Sequence, residues 1–236
     1  MHGILSHGAV VGRSGVILIL MFVAGHAGAA ENELGWTLDS ALKQIDRQAK
    51  DFQTMLADAT AVTLGSDGKE VRNLTGRTYM TAKGNMRVSE DAPGNRVMLV
   101  DSREVQIYDP AQAIVDRYSL SKHKGRLEPY AFLGFTYTGR DLQDDYLVTM
   151  LGEDRLRGQR TLLLELTPKK DAERQIVGKV TLWIDEASWM PARQVIEHVS
   201  TGERLTIDYT GMARNLKLNP ALFKANWPRG TKQIRR

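Results

Sequence analysis

Between residues 61 and 120 the chain is cut by turn signals at roughly ten-residue intervals, and that rhythm constrains the fold more than any other feature. The punctuating stretches are SDGK at 66–69, KGN at 83–85, APGN at 92–95 and YDP at 108–110. Gly takes positive φ, Asp and Asn bond their own backbone, and Pro pre-sets a turn dihedral. Between these stretches apolar and polar residues alternate. Met86 and Val88 stand against Asn85, Arg87 and Ser89, and Val105 and Ile107 against Glu104 and Gln106. A period of two puts one apolar and one wet face on each strand, as consecutive antiparallel hairpins require.

The same pattern resumes after residue 144. DYLVTMLGEDRLRGQRTLLLELTPK predicts two strands around Gly152 to Gly158. VTLWIDEASWMPARQVIEHVSTGERLTIDY predicts three more, with Val180, Leu182 and Ile184 on one face and Leu205, Ile207 and Tyr209 on another. NPALFKANWPRG closes the sequence as a short turn and an edge segment interrupted by Pro228. Roughly ten or eleven antiparallel strands in one sheet must curl, and must then close, split or cover the concave face.

Two segments offer cover. In WTLDSALKQIDRQAKDFQTMLADATA, the residues Leu38, Leu42, Ile45, Ala49, Phe52 and Leu56 recur at three- and four-residue steps. That stripe predicts an amphipathic helix over 36–57, with Thr37 or Asp39 as its N-cap. Residues 121–144 interrupt the sheet with a long, Gly- and Pro-containing stretch that still concentrates Leu127, Tyr130, Phe132, Leu133, Phe135 and Tyr137. A long apolar insertion of this kind is expected to be a lid or a binding element. The fold class that follows is α+β: a strongly curved antiparallel sheet forming an incomplete, half-open β-barrel covered by α-helices.

The first residues differ in kind. Arg13 is followed by the apolar run VILILMFVAG and then by Ala27-Gly28-Ala29. The run is too short to span a bilayer, and the order basic, apolar, small-x-small is that of a secretory signal peptide. The expected organisation is a cleaved leader at 1–29 and one domain at 30–236, exported to the periplasm and released there. The sequence has no Cys, which excludes disulfides, thiol nucleophiles and lipidation on Cys.

Chemistry is scarce. The net charge of +4 includes Arg13, and no basic stripe with interleaved aromatics suggests nucleic acid. Beyond the leader the only His residues are His123 and His198, with no metal-binding pair, and His198 reads as a solvent-facing strand residue. Ser119, Ser121 and His123 lie close together but lack a nucleophile elbow. The acidic pairs Asp144-Asp145 and Asp185-Glu186 read as turn residues. The sequence therefore predicts no enzyme, no metal site and no cofactor.

With the segments in this order, the chain resembles the LolA-like periplasmic lipoprotein carriers along nearly its whole length. The resemblance rests on KDFQTMLAD (50–58), GRTYMTAKGNMRV (76–88), VDSREVQIYDP (100–110), LELTPK (164–169) and LFKANWPRGTK (222–232). One departure is that the family's basic residue before a Pro is replaced by Ala82-Lys83-Gly84, without Pro. The resemblance implies an apolar cavity that shields acyl chains in transit. The cargo would be acylated lipoproteins, or a phospholipid or other envelope lipid, taken from an inner-membrane donor to an outer-membrane acceptor with only transient membrane contact. A periplasmic module sensing mislocalised lipoproteins is the alternative role. The expected cavity and lid residues are Tyr79, Met86, Val88, Met98, Val100, Ile107, Leu127, Phe132, Leu133, Phe135, Leu164 and Trp183.

Overall fold

Alternation in the sequence becomes a single twelve-stranded sheet in the computed structural model, which describes residues 35–120 and 133–236. The expected leader lies outside the described residues, as do Ser121, His123, Leu127 and Phe132. Six strands precede the interruption: β1 (Thr54–Leu64), β2 (Glu70–Thr81), β3 (Met86–Glu90), β4 (Val97–Val100), β5 (Glu104–Asp109) and β6 (Ile114–Ser119). Five follow it: β7 (Tyr146–Leu156), β8 (Gln159–Pro168), β9 (Val177–Asp185), β10 (Pro191–His198) and β11 (Arg204–Arg214). A short β12 (Lys232–Arg235) ends the chain.

The spatial order is β12-β6-β5-β4-β3-β2-β1-β11-β10-β9-β8-β7. Neighbours are antiparallel except β12, which runs parallel to β6. The two halves of the sequence thus meet where β1 pairs with β11, Ala59 opposite Tyr209 and Ala61 opposite Ile207. With β12 and β7 left as edges the sheet does not close, and it forms the expected half-open barrel with helices.

Helix α1 (Leu38–Asp51) starts at Thr37, whose hydroxyl accepts from the Ser40 amide while the Ser40 hydroxyl accepts from the Thr37 amide, a reciprocal cap. It buries Ala41, Leu42 and Ile45. The helix ends six residues before the sequence pattern predicts, because Phe52 turns extended and β1 begins at Thr54. From there Met55, Ala57, Ala59 and Ala61 alternate inward with period two, and the β-branched Thr54, Thr60, Val62 and Thr63 favour a strand. The helical stripe through Phe52 and Leu56 overlaps that strand signal, and tertiary pairing decides it.

A second helix, α2 (Gly139–Asp145), is capped by Thr138 and Asp141 and supplies the last part of the interruption. Asp46 of α1 accepts from the Gly139 amide at 2.7 Å. A side chain at Gly139 would put its Cβ 2.7 Å from the Leu42 carbonyl oxygen, so only Gly allows this approach. The pair α1–α2 covers β7 to β10, and a four-residue helical turn, α3 (Asp171–Arg174), links β8 to β9.

On the convex side, the segment after β11 wraps β3 to β6. Trp227 stacks on Tyr108 at 5.1 Å and its indole N–H donates to Gln106 Oε1 at 2.9 Å. β12 then covers the outer edge of β6 with the basic sequence KQIR, a charged edge that resists further strand pairing.

Candidate functional site

The strand registers settle which side chains share the concave face. Met55, Ala57, Ala59 and Ala61 of β1 stand opposite Met80, Thr78, Gly76 and Leu74 of β2. Those lead on to Met86 and Val88 of β3, Val100 and Met98 of β4, and Val105 and Ile107 of β5. On the other side of β11 the inward row is Gln194 and Ile196, then Leu182, Val180 and Ile184, then Leu164, Leu166 and Leu162.

These residues form two clusters. The first, from β7 to β10 with α1, α2 and Leu133, is filled: Leu164, Leu166, Leu182 and Ile184 are all fully buried. The second, from β1 to β5 with β11, is buried at one end around Phe52, Met55, Met80, Met86 and Phe135. At the other end it is not filled. There Ala59, Ala61, Leu74, Gly76, Val88, Met98 and Ile107 line a cavity of about 190 Å³. Arg72, Thr75, Glu90 and Arg96 stand around it.

The cavity exists because the inward positions of β1 and β2 are small. Ala59, Ala61 and Gly76 leave a trough where the corresponding positions of β8 carry Leu. Gly76 also has a steric reason: a Cβ there would collide with the Ser89 carbonyl of β3. The two backbones approach so closely only because the side chain is missing.

The rim is charged. Arg96 Nε donates to Glu90 Oε2 at 2.6 Å, and this hydrogen bond holds the guanidinium pKa above its ordinary value. The described surface also has polar recesses. One at the β5–β6–β12 edge is lined by Arg103, Glu104, Arg117, Ser119, Arg235 and Arg236 and has no apolar floor.

A buried polar relay separates the clusters. Tyr209, fully buried so that its hydroxyl pKa is pushed up, donates to Gln194 Oε1 at 3.1 Å. Gln194 Nε2 in turn donates to the Leu133 carbonyl at 2.8 Å. Phe135 meets the Tyr209 ring edge-on at 5.2 Å. Leu133 and Phe135 are thereby anchored, one in each cluster.

Of the residues expected from sequence, Val88, Met98 and Ile107 line the trough. Met86 and Val100 sit in the adjoining buried cluster, and Leu164 in the filled one. Tyr79 and Trp183 project from the opposite face, since their neighbours Met80 and Leu182 point inward. Trp183 instead donates to Asp154 Oδ2 at 2.9 Å beneath the Arg193 guanidinium. Sequence reasoning missed Ala59, Ala61, Leu74, Gly76 and Arg72. The signal was a run of small residues at alternate positions of β1.

Within the described residues, the acidic pairs serve turns and ion pairs. Asp185 accepts from the Ser188 amide and hydroxyl, a turn role, while Asp145 closes α2 and pairs with Lys170 at 3.3 Å. His198 is half-buried at the end of β10, not solvent-facing, where it stands in register with Val177 of β9 and its amide donates to the Glu203 carbonyl. Lys83 and Gly84 form the β2–β3 turn, with the Gly84 amide donating to the Thr81 carbonyl. Among the described residues no group of three or more His, Asp or Glu is placed to hold a metal ion. No helix there is long and apolar enough to cross a membrane.

The sequence model of the family described as "Outer membrane lipoprotein carrier protein LolA" matches residues 50–226, well over half of the chain. The chain belongs to the LolA family. The open sheet also matches an uncharacterised conserved protein of Thermus thermophilus, with a TM-score of 0.53 at 15% identity over 84% of this chain and 98% of that one. A LolA superfamily protein of Nitrosomonas europaea gives 0.42 at 18% identity, over 80% and 98%. The lipoprotein LppX of Mycobacterium tuberculosis gives 0.46 at 11% identity, over 77% and 98%. No protein of curated function matches the sequence. In this LolA-family chain the trough lies within the matched region, on strands β1 to β5.

Proposed function

We propose that this protein is a non-enzymatic carrier that shelters the acyl chains of a lipoprotein or lipid in the concave trough and moves them across the periplasm. The observation that carries the reading is the apolar floor of Ala59, Ala61, Leu74, Val88, Met98 and Ile107, left open in a sheet whose other half is packed solid. Family membership supports the same reading.

The energetics suit a carrier. Each methylene withdrawn from water contributes about 0.8 kcal/mol. The cavity is close to the roughly 150 Å³ that holds a benzene-sized apolar group, so it takes a short length of hydrocarbon. Partial burial of a chain favours uptake without making release prohibitive. Met98 and its neighbour Met86 have flexible side chains that adapt to an occupant. The export leader, an inner-membrane donor and an outer-membrane acceptor complete this proposal.

The test is native mass spectrometry of the protein, expressed with its own leader and purified from the periplasm without detergent. The expected spectrum contains a population heavier than the polypeptide by an acylated molecule. A bare mass that stays bare after incubation with lipid would sink the carrier reading in favour of a sensing or interaction module.

A further inference from the structure

The rim of the trough carries one more positive charge than it neutralises. Arg96 is engaged by Glu90 through two of its guanidinium nitrogens, Nε at 2.6 Å and Nη2 at 3.3 Å, and the pair is largely withdrawn from solvent. Gly94 backs the carboxylate, since a Cβ there would collide with it. Arg72 is placed differently. It stands opposite Thr63, on the inward row of β2 that continues through Leu74 to Gly76, and it borders the same cavity. Among the described residues its side chain has no ion-pair or hydrogen-bond partner.

Position makes this guanidinium more than a solubilising charge. Two residues of strand span about 7 Å, so Arg72 sits about that far along the trough from Leu74. An amphiphile whose tail lies over Leu74, Val88 and Met98 therefore brings its polar head to Arg72. A guanidinium offers a planar fork of donors that matches a carboxylate or phosphate, and Arg72 is exposed at the mouth of the trough, open to a head group arriving from solvent. A triacylated lipoprotein terminus offers ester, amide and thioether groups at that distance, and no anion.

We propose that Arg72 recognises the anionic headgroup, carboxylate or phosphate, of the amphiphile whose acyl chain occupies the trough. This inference rests on the carrier reading and narrows its cargo to anionic lipids.

Three soluble ligands with the same ten-carbon chain test it: decanoate, decanoyl-lysophosphatidylglycerol and the uncharged monodecanoylglycerol. Each is titrated against the protein by displacement of N-phenylnaphthylamine, an uncharged apolar dye. At least one anionic ligand is expected to bind about tenfold more tightly than monodecanoylglycerol at low salt, and to lose part of that advantage in 0.5 M salt, as screening requires. Which of the two gains identifies carboxylate or phosphate as the source. Arg72→Gln should abolish the advantage while leaving monodecanoylglycerol affinity and Tm unchanged, and Arg72→Lys should restore part of it. Equal affinities in the wild type, or an advantage that survives in Arg72→Gln, would overturn the proposal while dye and monodecanoylglycerol binding still upheld the carrier reading. Failure of the dye and all three ligands to bind would overturn both.

Discussion

Two halves of one concave face are lined with opposite intent. Over β7 to β10 the inward positions are Leu162, Leu164, Leu166, Val180, Leu182 and Ile184, sealed by α1, α2 and Leu133. Over β1 to β5 the inward positions at the far end are Ala59, Ala61, Leu74, Gly76, Val88, Met98 and Ile107, and a cavity remains. The backbone is the same sheet in both, so side-chain volume accounts for the difference. On the carrier reading, the filled half supplies stability and the open half adaptability. The polar relay Tyr209–Gln194–Leu133 lies at their seam, where it fixes one anchored segment to the floor.

The largest effect is expected where the packing is complete. Leu164→Ala removes a side chain with 0% exposure from the centre of the filled half. Such truncations lose about 2–5 kcal/mol, since the site collapses only in part. Urea unfolding should show that loss as a shift in midpoint, with dye affinity of the remaining folded protein unchanged. A loss below about 1 kcal/mol would mean that this half is not the stable one.

A smaller effect of the opposite kind is expected from filling the trough. Ala61 pairs with Leu74 and Ile207 and borders the cavity, so Ala61→Leu places three more carbons on its floor. Displacing about three methylenes of a guest at about 0.8 kcal/mol each weakens binding roughly 50-fold, while stability should move by less than about 1 kcal/mol. Displacement titration and urea unfolding on the same preparation separate the two. Unchanged affinity would place the acyl chain elsewhere.

Much of this was legible before the structure. Turn signals and period-two alternation are local, so the hairpins of β2 to β6 and β7 to β11 could be read from the residues alone. The end of α1 could not, since Phe52 and Leu56 continue a helical stripe while Met55, Ala57 and Ala59 begin a strand, and the pairing with β2 and β11 decides between them. β12 is short, charged and parallel to a strand remote in sequence, none of which leaves a local mark. The trough was read in part. Val88, Met98 and Ile107 are large enough to suggest a lining. Ala59, Ala61 and Gly76 look like weak strand positions and are instead the reason space exists. Tyr79 and Trp183 stand among the lining residues expected from sequence, yet parity within their strands sets them on the other face.

The smallest effect separates the halves by pH. His198 ends β10 in register with Val177 of the filled half. Burial holds its imidazole below the ordinary pKa, and Glu203 only partly restores it. The folded protein therefore resists protonation that the unfolded chain accepts near pH 6.5. Between those two pKa values the unfolded state binds more protons, so stability falls as pH is lowered from 7.5 through 6.5 and levels off below the folded value. His198→Gln should flatten this slope in unfolding experiments between pH 7.5 and 5.5. The trough has no such dependence on His198, and the basic side chains at its rim are guanidinium groups, whose charge does not change over this range. Affinity for monodecanoylglycerol should therefore hold constant over the range in which stability declines. Affinity that tracked the stability curve would show that the two halves are coupled, and that the filled half sets the shape of the open one.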